Sequence, residues 1–293
     1  MRLENVLSML KKHLLIVQNN FEHLLMQIIE HFIQGKRNNA QLCEDGWVVT
    51  PHFAAVVDGS TSKVAGRNGG RMAMELVCKA LHTLPPLADK ATMLHHMTAV
   101  LAAHNVPQAA TKAEYRLTCS AVIYSAARRV VWQVGDCLCR FGGTTYTHNK
   151  LVDTILTDAR CHAVQYLLAH GHTAADIMAN DLGRAIIFDA LREQTNFQND
   201  PNPYNPYRYP VFDGTPVDNA LVPELPVPKG VGEVVLASDG YPMLFDTWQP
   251  TEAHLQQVLQ SDPLCIAANA ATKCLMAGNV SFDDRCYLRI ATN

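Results

Sequence analysis

Five short acidic elements of this chain stand where apolar runs end or begin. They are Glu44-Asp45, Asp58-Gly59, Gly135-Asp136, Asp239-Gly240 and Asp283-Asp284. A buried strand that ends in a carboxylate and a glycine presents an oxygen ligand at the rim of a sheet. The glycine lets an ion or a phosphate approach the backbone closely. Singly, Asp-Gly is also the ordinary signature of a turn; its recurrence is what points to a shared site. No histidine or cysteine cluster accompanies these acids, so the donor set is oxygen only. Such a set suits a hard cation, magnesium or manganese, rather than zinc. Carboxylates brought together repel one another, and a pair of metal ions is the natural compensation. Two such ions can share a bridging water, lower its pKa and supply a hydroxide for in-line attack at phosphorus.

The elements that must hold these acids can be read in order. CEDGWVV and FAAVVDGS form a hairpin of buried strands joined at Thr50-Pro51-His52. Gly66 to Gly70 leads into a helix with Met74, Val77, Leu81 and Leu84 on its apolar face, ended by Pro85-Pro86, and a second helix carries Leu94, Met97 and Leu101. TCSAVIYS, VVWQVGDCLCRF and TTYTH read as a meander of antiparallel strands with Asp136 in its middle. A helix over Thr157 to His170 and a second one, opened by a Thr173/Asp176 capping box and running to about Gln194, come next. Residues 196–232 are rich in proline and tyrosine and read as an irregular flap or cover. Within them FDGTP lacks the second aspartate that a haloacid-dehalogenase-type nucleophile motif needs, since Val211 stands there. EVVLASDG is a third apolar strand ending in a carboxylate. Two helices follow it, the last capped by Asp262-Pro263 and Gly278. SFDDRCYLRI closes the chain as a strand burying Cys286, Leu288 and Ile290.

Residues 1–34 read as one long helix. Leu3, Leu7, Leu10, Leu14, Val17, Phe21, Leu24 and Ile28 alternate spacings of four and three, a heptad seam for a partner helix or a second copy of the chain. Leu15, Leu25, Ile29 and Phe32 widen the stripe, which suits packing on the chain's own domain equally well. A polar linker over 35–41 separates this helix from a domain over 41–293.

The 293 residues are 48% hydrophobic, enough for a large core. The net charge of -3 and the lack of a basic run argue against nucleic acid or anionic membrane as partners. The longest apolar runs fall well short of the ~20 residues of a membrane span, and no secretion signal is evident. Nine cysteines without a CxxC pair fit a reduced cytoplasmic protein.

The ordered series CEDG, VVDGS, TCSAVI, VGDC, ASDG and FDDRCYL resembles the motif series of the metal-dependent protein phosphatases, the type-2C serine/threonine phosphatases. The likeness spans roughly residues 41–291. It implies an α+β fold, a four-layer αββα sandwich of two antiparallel sheets flanked by helix pairs. It implies manganese or magnesium, two ions and in some members a third. Asp58 would bridge the two ions, the Gly59 carbonyl would bind one of them, and Asp239 and Asp283 would complete the first ion's protein ligands. Glu44 and Asp45 would hold metal-bound waters, and Asp136 would meet the third ion with Asp239. The family register, and not strand periodicity, selects Asp283 over Asp284. The implied reaction is hydrolysis of phosphoserine or phosphothreonine monoesters in a phosphoprotein by a metal-bridging hydroxide.

Two departures stand out. Ala40 occupies the position where many members carry a phosphate-gripping arginine, with Lys63, Arg67 and Arg37 as substitutes. Ser60 stands where some members carry a histidine after Asp-Gly, leaving His148, His52 or a metal-bound water to protonate the leaving group. The alternatives are a non-catalytic, phosphatase-like binding module and a small-molecule phosphomonoesterase.

Overall fold

The computed structural model describes residues 26–292. Its strands are β1 (Ile28–Gln34), β2 (Asp45–Val49), β3 (Phe53–Gly59), β4 (Cys119–Ser125), β5 (Val130–Val134), β6 (Leu138–Phe141), β7 (Thr144–Tyr146), β8 (Glu224–Pro226), β9 (Glu233–Ala237) and β10 (Arg285–Ala291). Its α-helices are α1 (Gly69–Ala80), α2 (Lys90–His104), α3 (Leu151–Ala169), α4 (Ala174–Asn180), α5 (Leu182–Ile186), α6 (Phe188–Glu193) and α7 (Trp248–Ser261).

The strands make two five-stranded antiparallel sheets. One has the order β2-β3-β4-β5-β8, the other β1-β10-β9-β6-β7. They stack face to face because each central strand is apolar on both sides. Ala54, Val56, Val122 and Tyr124 of the first sheet pack on Leu236, Cys286, Leu288 and Ile290 of the second. The outer face of the first sheet (Phe53, Ala55, Val57, Ile123) is covered by Ala73, Val77, Met93, Met97 and Leu101 of α1 and α2. The outer face of the second (Val235, Ala237, Tyr287) is covered by Leu255 and Leu259 of α7. The result is an α+β sandwich layered helix, sheet, sheet, helix.

Four sequence expectations need correction. Residues 28–34 are a strand, not the end of a helix. Ile28, Ile29 and Ile33 are β-branched, and this edge strand pairs with β10 from Ile28↔Ile290 to Gln34↔Arg285. The domain therefore begins before the polar linker. The heptad seam of residues 1–25 lies outside the described residues. Secondly, VVWQVGDCLCRF is not part of one meander: β5 belongs to the first sheet and β6 to the second. The chain changes sheet at Gly135, whose φ of +84° favours glycine and leaves Ser120 Oγ only 2.1 Å from where a Cβ would stand.

Thirdly, the helix expected to reach Gln194 is broken at Asp181. This residue is left-handed (φ 42°), caps α5 and accepts a salt bridge from the fully buried Arg160 (3.0 Å). Fourthly, residues 262–278 are not a helix. The Asp262 carboxylate accepts from the N–H groups of Ile266, Ala267 and Asn269 (3.0, 2.8 and 3.1 Å), which ties it to a loop rather than to a first helical turn. The second sheet is thus flanked by α7 and irregular chain in place of a helix pair.

Candidate metal centre

Register sets the core of the site. Asp45 on β2 lies directly opposite Asp58 on β3, and Asp58 lies opposite Ser120 on β4. Three polar residues therefore stand in a row at one end of the first sheet. Gly59 closes β3 against the start of α1: its N–H donates to the Glu44 carbonyl (3.1 Å), and a Cβ there would meet the Gly70 carbonyl oxygen at 2.3 Å. Asp239 follows β9 and Asp283 precedes β10 in the second sheet, while Asp136 sits on the crossover between sheets. A cleft of about 840 Å³ opens above these strand ends, lined by Asp58, Gly59, Asp136, Asp239 and Asp283.

The expected residues differ in what meets them. Asp136 accepts from Lys150 Nζ (2.6 Å) and Ser120 Oγ (2.7 Å). Burial pushes its carboxyl up, but the Lys150 charge and these hydrogen bonds prevail and hold it down at about 2. Lys150 is correspondingly raised well above an ordinary lysine, Asp136 and Asp153 outweighing its burial. Asp283 accepts from Lys36 Nζ (2.9 Å) and is in contact with the Lys273 ammonium. The same ammonium lies 4.0 Å from Asp239.

Asp45 and Asp58 have no such neighbour: among the described residues no ion pair reaches either. Burial first, and then the charges of Asp284 and Asp239, push the Asp45 carboxyl up to about 7. Burial, Asp239, Asp45 and Asp136 raise Asp58 well above the usual range, against a smaller opposing pull from Lys273. Asp45 Oδ2 is buried without a hydrogen-bond partner. Glu44 is buried; its carboxylate accepts from Thr61 Oγ1 and its backbone N–H donates to Asp284 Oδ2 (2.9 Å). Asp284 is 3% exposed and also accepts from the Lys36 N–H (2.8 Å), so it braces the turn after β1 at the edge of the cleft.

The residues present fit a hard divalent cation at the Asp45–Asp58 pair. The donors are all oxygen, two facing carboxylates lack a counter-charge, and one buried oxygen lacks a partner. Asp58, the Gly59 carbonyl and Asp45 would hold it. Among the described residues no group of three or more acidic, histidine or cysteine side chains is placed to hold such an ion by itself, so backbone carbonyl and water oxygens would complete its coordination.

Of the substitutes for the missing arginine, Lys63 and Arg37 line the cleft. Arg67 instead lies over the Tyr115 ring, 5.4 Å from its centroid. Lys63 is lowered to about 7 by burial and by Arg184, Lys273 and Lys150 nearby. His52 precedes β3, so it stands at the opposite end of that strand, roughly 20 Å from Asp58 at about 3.3 Å per residue. It takes no part in the site. His148 is lowered by burial, and its Nδ1 has no hydrogen-bond partner among the described residues. Asp213 of FDGTP is fully buried on Arg116 (2.9 Å) and Asn199 (2.9 Å), and it organises the proline- and tyrosine-rich segment. Sequence reading missed Lys36, Lys150, Lys273 and Arg184. Each lies outside any strand, and nothing in the local pattern marks it.

The family model described as protein phosphatase 2C matches residues 34–264. This chain belongs to that family. No curated protein matches it. Among solved structures it is similar to the serine/threonine phosphatase PstP/Ppp of Mycobacterium tuberculosis, with 15% identity, 92% of this chain and 100% of that chain covered, and a TM-score of 0.45. It is also similar to the serine/threonine phosphatase Stp1 of Staphylococcus aureus, with 13% identity, coverage of 92% and 96%, and a TM-score of 0.46. A structure of the PstP catalytic domain in complex with two manganese ions is 14% identical, with coverage of 92% and 99% and a TM-score of 0.45. Likeness at this level transfers no residue role or ion to this chain. No described helix is long and apolar enough to cross a membrane.

Proposed function

We propose that this chain hydrolyses phosphoserine or phosphothreonine monoesters of a phosphoprotein in the cleft above the two sheets, with manganese or magnesium. One observation carries the reading: acids from both sheets and from the crossover line one cleft, and Asp58 among them, facing buried Asp45 on the next strand, forms no ion pair among the described residues. The chemistry that a divalent ion would supply there is a bound water of lowered pKa, suited to attack on phosphorus. Asp58, the Gly59 carbonyl and Asp45 would fix that position. Glu44, held by Thr61, braces the same strand ends. Lys63, Arg37 and Arg184 on the cleft wall offer positive charge to the phosphate, in place of the arginine absent at Ala40. Among the described residues Arg184 forms no ion pair with a carboxylate, and it donates to the Thr272 carbonyl (2.7 Å) and hydroxyl (3.3 Å), which aims it. The nine unpaired thiols support a reducing, cytoplasmic setting.

The test is phosphate release from a phosphothreonine peptide and from an aryl phosphate, with manganese and then with excess chelator. Turnover that needs the metal and disappears in Asp58→Asn is the expected outcome. Turnover unaffected by the chelator refutes the reading. Metal binding without turnover on either substrate selects the non-catalytic alternative.

A further inference from the structure

Ammonium groups of this chain already stand at two of the three places where the family resemblance implies metal ions. Lys150 Nζ is 2.6 Å from Asp136 and 3.7 Å from Asp153, with only 13% of its side chain exposed. The Lys273 ammonium contacts Asp283 and lies 4.0 Å from Asp239, and Lys36 adds a second ammonium to Asp283 at 2.9 Å. Three carboxylates are thus met by three lysines. Among the described residues no ion pair meets the Asp45–Asp58 pair, which when ionised carries two negative charges, the complement of a single divalent ion.

Lys273 is not a loose surface side chain. The backbone around it is fixed on both sides. The Ala271 carbonyl accepts from buried Arg160 (3.2 Å), the Thr272 carbonyl from Arg184 (2.7 Å), and the Cys274 N–H donates to Asp181 (2.9 Å). The first and third of these contacts come from the Arg160–Asp181 pair at the helix break and the second from Arg184, whose own N–H donates to Asp181; Arg160 also donates to the Leu264 carbonyl in the loop that Asp262 organises. The two irregular features of the fold therefore converge on presenting one ammonium to Asp239 and Asp283. Lys150 is held in the same way, since it directly precedes α3 and its ammonium also lies over the Tyr209 ring (5.1 Å).

We propose that Lys273 and Lys150 take the places of two metal ions, so that this chain binds one divalent cation, at Asp45–Asp58, rather than two or three. The inference rests on the metal site of the proposed function and sharpens it. A lysine holds charge without exchange. It also keeps Asp239 and Asp283 from drawing in a second ion, so the centre responds to metal concentration as a single site.

The experiment is manganese binding to the full chain. Stoichiometry is read by titration calorimetry and by metal content after desalting, and coupling by electron paramagnetic resonance. Wild type is expected to bind one manganese per chain with the spectrum of an isolated ion. Lys273→Met is expected to bind two, with the signal changed by exchange coupling between neighbouring ions. Lys273→Gln, which keeps a hydrogen-bonding group, gives the same reading if the methionine variant does not fold. Two ions in wild type, or one ion in both wild type and the Lys273 variants, overturns the proposal. No ion in wild type, with Asp58→Asn unchanged from it, overturns instead the metal site on which it rests.

Discussion

Asp136 and the Asp45–Asp58 pair share one set of strand ends, yet they are electrostatic opposites. Asp136 is held at about 2 because a lysine and a serine hydroxyl meet it. Asp45 is pushed to about 7 because burial and other carboxylates surround it and no cation does. The difference shows where the protein has completed its own charge balance and where it has left the balance to a ligand. A site built for an exchangeable cation is the one that stays unstable without it.

The largest expected effect falls on the unbalanced side. Asp58→Asn should reduce metal-dependent phosphate release by ~100-fold or more. In the metal-free chain the same substitution should raise the melting temperature, because it removes a charge repelled by Asp45 and Asp239. Asp136→Asn should lower it. If both substitutions shift the metal-free melting temperature in the same direction, the contrast between the two regions is broken. Gly59→Ala should cost about 3 kcal/mol in denaturant unfolding, since its Cβ would strike the Gly70 and Glu44 carbonyl oxygens at 2.3 and 2.6 Å.

On the balanced side, Lys150→Met should destabilise by about 2 kcal/mol, between the values for exposed and fully buried pairs. The last effect is the pH dependence of the metal-free chain. The folded pKa of Asp45, about 7, lies above the ~4 of an unfolded aspartate, so the folded state binds the additional proton. Its contribution to stability is full below pH ~4 and is lost as pH rises through about 7. Asp136, depressed to about 2, acts in reverse: its contribution is present above pH ~4 and is lost as pH falls through about 2. Thermal melts of Asp45→Asn should show a shallower decline between pH 4 and 7, whereas those of Asp136→Asn should not.

The acids were legible in the sequence because each motif couples a carboxylate to a strand boundary, and strand ends gather at the rim of a sandwich. The layering of helix on sheet was what the family resemblance implied, and the order of the elements agreed with it. The lysines were not legible. Lys36, Lys150 and Lys273 lie in a turn, before a helix and in an irregular loop, and only tertiary packing brings them to the acids. The misread segments have a common cause. Asp181 and Asp262 carry helix-capping chemistry, and in both cases the carboxylate is recruited by other groups, the Arg160 guanidinium and a run of loop amides. Apolar spacing in residues 28–34 matched a heptad seam, but an open edge beside β10 and three isoleucines settled that stretch as a strand.

The most direct test of the contrast is the melting temperature with and without manganese for wild type, Asp58→Asn and Asp136→Asn. A ligand that binds only the folded chain stabilises it by about 2.7 kcal/mol at a hundredfold excess over its Kd. Wild type and Asp136→Asn should both be stabilised, and Asp58→Asn should not respond. An equal response in all three would contradict the account, because it would mean that the ion is held somewhere other than the pair the protein leaves unbalanced.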